Sequence, residues 1–222
     1  MTNFDFQWQA AWQALPELLD GARLTLFVAI TGLSLGFAVG SLLGVAKTAR
    51  ARWLRAPASA YIETIRGTPL MVQLMFLYFG LPLVTGGRIP PLVAGVTAIG
   101  VNSGAYIAEV VRGAIESIDK GQMEAARSMG LRHLQALYYV IWPQAFRRMI
   151  PALGNQFIVS IKDTSLLVVI GVGELTRRGQ ETIAVNFRAL EVWLAVALIY
   201  LAMTLSLSKI LNIVELKLRV RS

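Results

Sequence analysis

The chain of 222 residues contains no cysteine, a single histidine and few charged residues. Without cysteine it can form no disulfide, no thiolate metal site and no cysteine nucleophile. Charged residues make up 15% of the sequence, against roughly 25% in a typical soluble domain, and hydrophobic residues make up 55%. This composition argues against a disordered chain, a coiled coil and an ordinary globular protein, and it favours a membrane protein.

The residue groups that carry out catalysis or hold cofactors are also missing. The one histidine, His133, lies in a charged segment without a cluster of carboxylates, and no serine has a base at hand. A near match to a phosphate-binding loop fails because two residues separate Gly44 from Lys47, where the lysine should follow the glycine directly. We therefore expect no catalytic, cofactor-binding or metal-binding residues and no nucleotide bound by this chain.

Five apolar segments are long enough to cross a bilayer. Four uncharged windows approach the roughly 20 residues that a helix needs to cross about 30 Å of hydrocarbon. These windows are residues 24–46, 67–87, 89–108 and 192–208. The fifth segment, 149–173, is interrupted by Lys162 and Asp163. The sequence predicts an all-α membrane protein, one domain over residues 1–222, with spans near 22–46, 60–84, 89–111, 149–173 and 191–214.

Basic residues are unevenly distributed between these spans. Of 21 lysines and arginines, fourteen fall in the first loop, the long loop 112–148 and the C-terminal tail, which alternate with the other loops. Only four fall in the remaining loops. Because basic residues concentrate on the cytoplasmic side, we expect the N-terminus outside and the C-terminus in the cytoplasm. The net charge of +8 then marks topology, and no nucleic-acid partner is expected.

Aromatic residues and glycines give two further expectations for the first span. Phe4, Phe6, Trp8 and Trp12 precede it and are typical of an aromatic anchor at the membrane interface. Glycines recur every four residues within it, at positions 32, 36, 40 and 44. This spacing predicts close packing against another helix, either in the same chain or in a dimer.

Polar residues within the spans suggest a cavity. Gln156, Ser160, Asp163 and Thr164 lie mostly on one helical face, because their spacings are four, three and one. Ionisable groups at membrane depth usually face a bundle interior or a water-filled cavity. With Asn102 and Ser103 of the third span, these residues are expected to line a polar cavity. The alternative is that Lys162 and Asp163 only neutralise each other.

The long polar loop carries a recognisable motif. It contains Glu-Ala-Ala at 124–126, Gly130, and Val-Ile-Trp-Pro at 140–143. We expect Glu124 near a helix start, a turn at Gly130 and a second break at Pro143. On these physical grounds a docking helix and a purely structural loop helix are equally consistent.

The motif resembles the EAA motif of permease subunits in bacterial ATP-binding-cassette importers. That motif has Glu-Ala-Ala, three residues, Gly, nine residues and Ile-x-Leu-Pro. The matching positions are Glu124, Ala125, Ala126, Gly130 and Pro143. Val140 and Trp142 replace the usual Ile and Leu, which exchanges apolar for apolar residues. Segments 63–69, 102–109 and 154–166 are similar to the polar amino-acid importers, and within them the chain is closest to the glutamine permeases.

The resemblance implies a fold, partners and a site. It implies five transmembrane helices with a coupling helix near 118–133, a homodimer in the bacterial inner membrane, two cytoplasmic ATPase subunits and an extracytoplasmic binding protein. ATP would be used by the ATPase and not by this chain. The implied substrate path comprises Thr68, Asn102, Ser103, Gln156, Ser160, Asp163 and Thr164. Related permeases for basic amino acids have an acidic residue at the position of Gln156, so the resemblance favours glutamine as substrate over arginine or lysine, while glutamate stays open.

Two functions of other classes compete with this interpretation. An ion-coupled secondary transporter or small channel could use Lys162 and Asp163 for ion coupling. A structural membrane protein would leave the polar face of residues 156–164 without a purpose.

Overall fold

The computed structural model describes residues 5–49 and 51–219, which form eight helices and no β-strand. The prediction of an all-α protein is confirmed. The helices are α1 (Trp8–Thr48), α2 (Arg52–Arg66), α3 (Leu70–Thr85), α4 (Pro91–Glu116), α5 (Lys120–Ser128), α6 (His133–Ile170), α7 (Leu175–Asn186) and α8 (Ala189–Arg219). Phe4, part of the expected aromatic anchor, lies outside the described residues.

Four helices, α1, α4, α6 and α8, are long and apolar enough to cross a membrane. The segment expected as the second span, 60–84, is not one helix. It contains the junction of α2 and α3, which meet at an angle of 102°. Pro69 lies at this junction, where its ring removes a backbone N–H and disfavours helical geometry in the preceding residue. Counting this bent pair as one span gives five.

The glycines of α1 pack against α4 of the same chain. A Cβ added at Gly40 would lie 2.6 Å from the carbonyl oxygen of Gly104, and one at Gly44 would lie 2.6 Å from that of Ala108. Residue numbers of the contacting positions increase in the same direction along both helices, so α1 and α4 run parallel. Of the two alternatives for the glycine spacing, the structure shows packing within the chain.

Helix α6 is continuous, but two of its segments are not α-helical. Residues Leu137–Ile141 form a π-helical turn, and Thr164–Ile170 form a 3-10 turn. The sequence suggested a break at Pro143, but the helix continues through it. The proline lies just after the π-helical turn Leu137–Ile141. Nor does the helix break at Lys162 and Asp163, which belong to its last α-helical turn.

The bundle has two distinct ends. At the first, the N-terminal halves of α1 and α8 pack with α7 around a buried cluster that includes Leu18, Leu175 and Val192. At the second, α4 and α6 pack around Ile107, Val111 and Met149, and α5 lies beside them. We call these the α7 end and the α5 end.

Candidate functional site

A buried pair of hydroxyls joins α4 to α6. The Oγ atoms of Ser103 and Ser160 lie 3.1 Å apart, and both side chains are buried. A Cβ at Gly36 of α1 would lie 2.9 Å from the Ser103 Cβ, so the glycine lets α1 close over this pair. Two of the residues expected in the substrate path are therefore in direct contact.

Gln73 connects two more of the expected residues. Its Nε2 lies 2.9 Å from the Thr68 hydroxyl oxygen and 2.7 Å from the Ile65 carbonyl oxygen, while its Oε1 accepts a hydrogen bond of 3.1 Å from Asn102 Nδ2. The side chain thus ties the bend between α2 and α3 to the middle of α4. A cavity of about 380 Å³ adjoins it, lined in part by Thr68, Gln73 and Val101.

Gln73 was not among the residues expected from the sequence. An amide inside the uncharged segment 67–87 is itself a signal, since polar side chains at membrane depth usually have a partner or a function. We define the polar cluster as Thr68, Gln73, Asn102, Ser103 and Ser160.

Gln156 and Asp163 lie on the same face of α6 as Ser160 but make no hydrogen bond within the described part of the chain. Both are half-buried. Seven residues separate them, which is about 10 Å along a helix. Lys162 is exposed, and no ion pair joins it to Asp163 among the described residues. The two side chains therefore form no direct ion pair, although they are neighbours in the sequence.

Thr164, the last expected residue of the path, is buried and hydrogen-bonded within the chain. Its hydroxyl donates to the Ile161 carbonyl oxygen at 2.7 Å. This bond satisfies the hydroxyl at the point where α6 tightens into its 3-10 turn.

An ionic network fastens three helices nearer the α5 end. The carboxylate of Glu109 on α4 accepts hydrogen bonds from Lys47 of α1 at 2.5 Å and from Arg112 at 2.7 Å. Arg66, at the end of α2, lies 3.8 Å from the same carboxylate, and its guanidinium carbon is 5.3 Å from the ring centre of Tyr106. Partly buried ions are tolerated when several opposite charges surround them, as here.

Helix α5 carries the Glu-Ala-Ala sequence, but Glu124 does not start it. The helix begins after Asp119, whose carboxylate accepts a hydrogen bond from the Gly121 N–H at 2.8 Å. Asp119, and not Glu124, therefore complements the helix dipole. Ala126 is buried and Met123 packs on the cluster of α4 and α6, while Glu124 and Ala125 are exposed.

The segment after α5 is a tight, well-capped turn. Gly130 has φ of +90°, a conformation in which other residues are strained, so the expected turn at this glycine is present. The Arg132 N–H donates to the Gln135 side-chain oxygen at 2.8 Å and caps the start of α6. Arg148 of α6 donates to the Ser117 hydroxyl at 3.0 Å, just before α5. Both flanks of α5 are thus fixed to the bundle.

Large apolar side chains near this turn are exposed in the described part of the chain. Met129, Leu134, Tyr138 and Tyr139 are each at least 66% exposed. Contiguous exposed apolar surface of this kind is typical of a protein contact site.

At the α7 end, Glu174 is completely buried and links α7 to α8. It caps α7 by accepting hydrogen bonds from the backbone N–H groups of Thr176 and Arg177, and it accepts another from the Tyr200 hydroxyl of α8 at 2.9 Å. Burial raises the pKa of this carboxyl, and the hydrogen bonds oppose the increase. Next to it, the Leu175 N–H donates to Thr25 of α1. Glu174 was not among the residues expected from the sequence, although an acidic residue at a helix start is a signal for a helix N-terminus.

No group of three or more His, Cys, Asp or Glu side chains that could hold a metal ion occurs among the described residues. The polar cluster offers neutral hydrogen-bonding groups, with Gln156 and the carboxylate of Asp163 nearby along α6. Such an arrangement can bind a polar molecule but supplies no nucleophile paired with a base.

Comparisons with known proteins agree with these features. The family described as "Binding-protein-dependent transport system inner membrane component" matches residues 32–220. The glutamine transport system permease protein GlnP of Escherichia coli K12 is 52% identical over 97% of this chain and 99% of its own length. The arginine transport system permease protein ArtQ of Bacillus subtilis is 36% identical, with 98% of each chain covered.

A solved structure is similar over the whole fold. The crystal structure of an amino acid ABC transporter with histidines superposes with a TM-score of 0.90 at 39% identity, and it covers 96% of this chain and 100% of its own. The resemblance to permeases of polar amino-acid importers is confirmed. With a family match over residues 32–220 and a relative at 52% identity, this chain belongs to the inner membrane components of binding-protein-dependent transport systems.

Proposed function

We propose that this chain is the permease subunit of an ATP-binding-cassette importer that moves glutamine into the cytoplasm by alternating access. The observation that supports this proposal most strongly is the 52% identity to a glutamine permease over 97% of the chain. The interior of the bundle supports the same substrate class, because its polar groups are mostly neutral.

The proposed substrate path runs from the polar cluster to the unpaired side chains of α6. Asp163 is the carboxylate that meets the α-ammonium group of the substrate. Gln156 hydrogen-bonds the side-chain amide, which can both donate and accept. Gln73 and Asn102 are already hydrogen-bonded to each other at 3.1 Å, so they form part of the wall of the path. They bind substrate only when it replaces this hydrogen bond.

The proposed partners meet the chain at its two ends. In the complete importer there are two cytoplasmic ATPases, and each binds α5 of one permease copy. It also contacts the exposed side chains around α5, such as Met129, which is 85% exposed. A binding protein delivers substrate at the α7 end, and a second copy of the chain completes the permease. This arrangement places the N-terminus outside and the C-terminus in the cytoplasm, in agreement with the distribution of basic residues.

Alternating access requires that movement of α5 reaches the substrate path. Met123 packs on the same apolar cluster as Ile107 and Met149, and Arg148 bonds to Ser117 beside α5. Ile107 is four residues from Ser103, so α4 contributes both to the surface on which α5 packs and to the polar cluster. A rigid movement of α5 would therefore shift α4 and α6 together.

The test is ATPase activity of the reconstituted complex with its binding protein, measured across a panel of amino acids. Glutamine should stimulate hydrolysis at the lowest concentration, and arginine and lysine should not stimulate it. Stimulation by a cationic amino acid in preference to glutamine would contradict the proposed role of Gln156.

A further inference from the structure

A cluster of polar side chains at the α7 end lies outside the proposed substrate path. It consists of Glu174 and Thr176 at the start of α7 and Tyr200 of α8, and we call it the cap cluster. Glu174 is completely buried and Tyr200 is half-buried. Beside the cluster, the Leu175 N–H donates to Thr25 of α1, so the cluster lies where α7 packs on both α1 and α8.

The carboxylate of Glu174 is saturated by donors of the chain. Its Oε1 accepts from the Arg177 N–H at 2.8 Å, and its Oε2 accepts from the Thr176 N–H at 3.0 Å and from the Tyr200 hydroxyl at 2.9 Å. Two of these three donors belong to α7 itself. Tyr200 is therefore the donor that fastens the capped start of α7 to α8.

The hydroxyl of Tyr200 also reaches α6. A phenol has one proton, and because an ionised carboxylate can only accept, this proton goes to Glu174. The lone pairs of the phenol oxygen can accept from threonine hydroxyls. The Thr176 hydroxyl lies 2.9 Å away, and Thr164 of α6 is a further hydrogen-bonding neighbour. One oxygen atom of α8 thus connects the start of α7 to α6.

Thr164 is the residue at which α6 ceases to be α-helical. It follows Asp163 directly and begins the 3-10 segment Thr164–Ile170, whose seven residues exceed the three or four that such helices usually contain. Its hydroxyl donates to the Ile161 carbonyl oxygen at 2.7 Å, so the Tyr200 oxygen offers it a second acceptor. The chain then turns at Gly171 and enters α7. A shift of α7 would therefore act on Thr164 by two routes, through this short connection and through Tyr200.

We propose that Tyr200 is a positioning residue for transport, whose hydroxyl ties the placement of α7 to the position of Asp163. The inference rests on the proposed function, in which Asp163 meets the substrate and the binding protein acts at the α7 end. While α7 is in place, Glu174 holds the phenol, and the phenol holds Thr164 beside Asp163. When α7 moves, the phenol leaves Thr164, and the backbone next to Asp163 can change between its α-helical and 3-10 windings.

The test is Tyr200→Phe, which removes one hydroxyl and keeps the ring. The variant is reconstituted with its ATPase and binding protein in proteoliposomes, and glutamine uptake and ATP hydrolysis are measured on the same vesicles. Loss of one hydrogen bond to a charged group should lower the amount of glutamine transported per ATP hydrolysed about tenfold. The ATP concentration for half-maximal hydrolysis should not change, because ATP is bound by another subunit.

A purely structural role of Tyr200 gives a different result. Tyr200→Phe would then reduce only the amount of assembled complex, or it would lower uptake and ATP hydrolysis by the same factor, and either result would overturn the inference. Tyr78→Phe is the matched control. Tyr78 is also half-buried, but it packs on the apolar cluster around Leu74, and its hydroxyl has no hydrogen bond in the described part of the chain. This control should retain the wild-type ratio of uptake to hydrolysis.

A double-variant cycle tests the contact with α6. Thr164→Val removes the threonine hydroxyl at nearly constant size and should lower the same ratio of uptake to hydrolysis. If both residues act through one contact, Tyr200→Phe combined with Thr164→Val should be no worse than the more severe single variant. Independent effects, which multiply in the double variant, would overturn the coupling.

Failure of this inference is distinguishable from failure of the proposed function. If the wild-type complex transports glutamine and Tyr200→Phe has the wild-type ratio of uptake to hydrolysis, only the role of Tyr200 is wrong. If the wild-type complex shows no ATP-dependent glutamine transport, the proposed function is wrong and the role of Tyr200 falls with it.

Discussion

Single polar side chains in the bundle interior fall into two groups. Ser103, Ser160, Gln73 and Asn102 have partners within hydrogen-bonding distance, whereas Gln156 and Asp163 have none in the described part of the chain. Since unsatisfied polar groups at membrane depth are costly, the second group is the better candidate for direct contact with a transported molecule.

Exchange of one half-buried amide should change substrate preference. Gln156→Glu adds a second carboxylate seven residues from Asp163, so arginine should compete about tenfold better for uptake than in wild type. The measurement is inhibition of glutamine uptake by arginine in reconstituted vesicles. Asn155→Asp adds the same charge at the exposed neighbouring position and is the matched control. Unchanged arginine competition in Gln156→Glu would count against this part of the substrate path.

Loss of a glycine in α1 should destabilise the bundle. The Cβ of Gly40→Ala would lie 2.6 Å from the Gly104 carbonyl oxygen, so α1 and α4 must move apart. We expect a loss of about 1 to 3 kcal/mol, as for other overpacked interfaces. The measurement is the thermal unfolding midpoint in detergent. Gly113→Ala on α4 meets nothing within 4 Å and should leave the midpoint unchanged or raise it. Equal midpoints for the two variants would contradict the close packing.

Residues with local signals could be predicted, and residues whose partners are distant in sequence could not. The glycine spacing of α1 and the polar face of α6 are visible in the helical period. The partner of Gln73, Asn102, is 29 residues away, and the partner of Glu174, Tyr200, is 26 residues away, so neither contact could be predicted. Such pairs depend on how the helices pack, which a single sequence does not specify.

Among the helices, α5 depends most on its ends. It has nine residues, too few to be stable alone, and its order comes from the Asp119 cap, the buried Ala126 and the turn at Gly130. Its exposed face is therefore held in place by contacts on its other face.

Substitution of Gly130 should loosen this helix without creating a clash. At φ of +90°, Gly130→Ala is strained by about 1 to 2 kcal/mol, although no atom lies within 4 Å of the added Cβ. We expect less ATPase to copurify with the chain and weaker coupling of hydrolysis to transport. Gly130→Asn should retain more association, because asparagine tolerates positive φ better than alanine. If Gly130→Ala behaves as wild type in both assays, the turn does not position α5.

The types of the elements were more predictable than their ends. Long apolar windows identify α1, α4 and α8, but the bend between α2 and α3 was missed because hydropathy averages over Gly67 and Pro69. The charges at Lys162 and Asp163 interrupt the uncharged window of α6 but not the helix, because one charged turn does not remove any backbone hydrogen bond. A break requires proline or glycine geometry, as at Gly171, whose φ is +78°.

At the scale of the whole molecule, α1, α4 and α8 run parallel between the α7 end and the α5 end. Composition and charge predicted an all-α membrane protein, because low charge and long apolar windows are properties of the whole chain. The ionic network of Glu109 joins α1, α2 and α4. It could not be predicted from the sequence, because its members come together only when the helices pack.

The proposed orientation can be measured with single cysteines, since the chain contains none. Val185→Cys on α7 and Met129→Cys beside α5 replace side chains that are 82% and 85% exposed. In intact spheroplasts, a maleimide that cannot cross the membrane should label the first position and not the second. Labelling of Met129→Cys before permeabilisation would reverse the topology.

The most direct test of the central claim is glutamine uptake by proteoliposomes that contain this chain with or without its ATPase partner. Uptake should require the ATPase, ATP and the binding protein together, because in the proposed function the chain supplies only the substrate path and the contact surface for the ATPase. Uptake by the chain alone, driven by an ion gradient without ATP, would contradict the account and identify a secondary transporter.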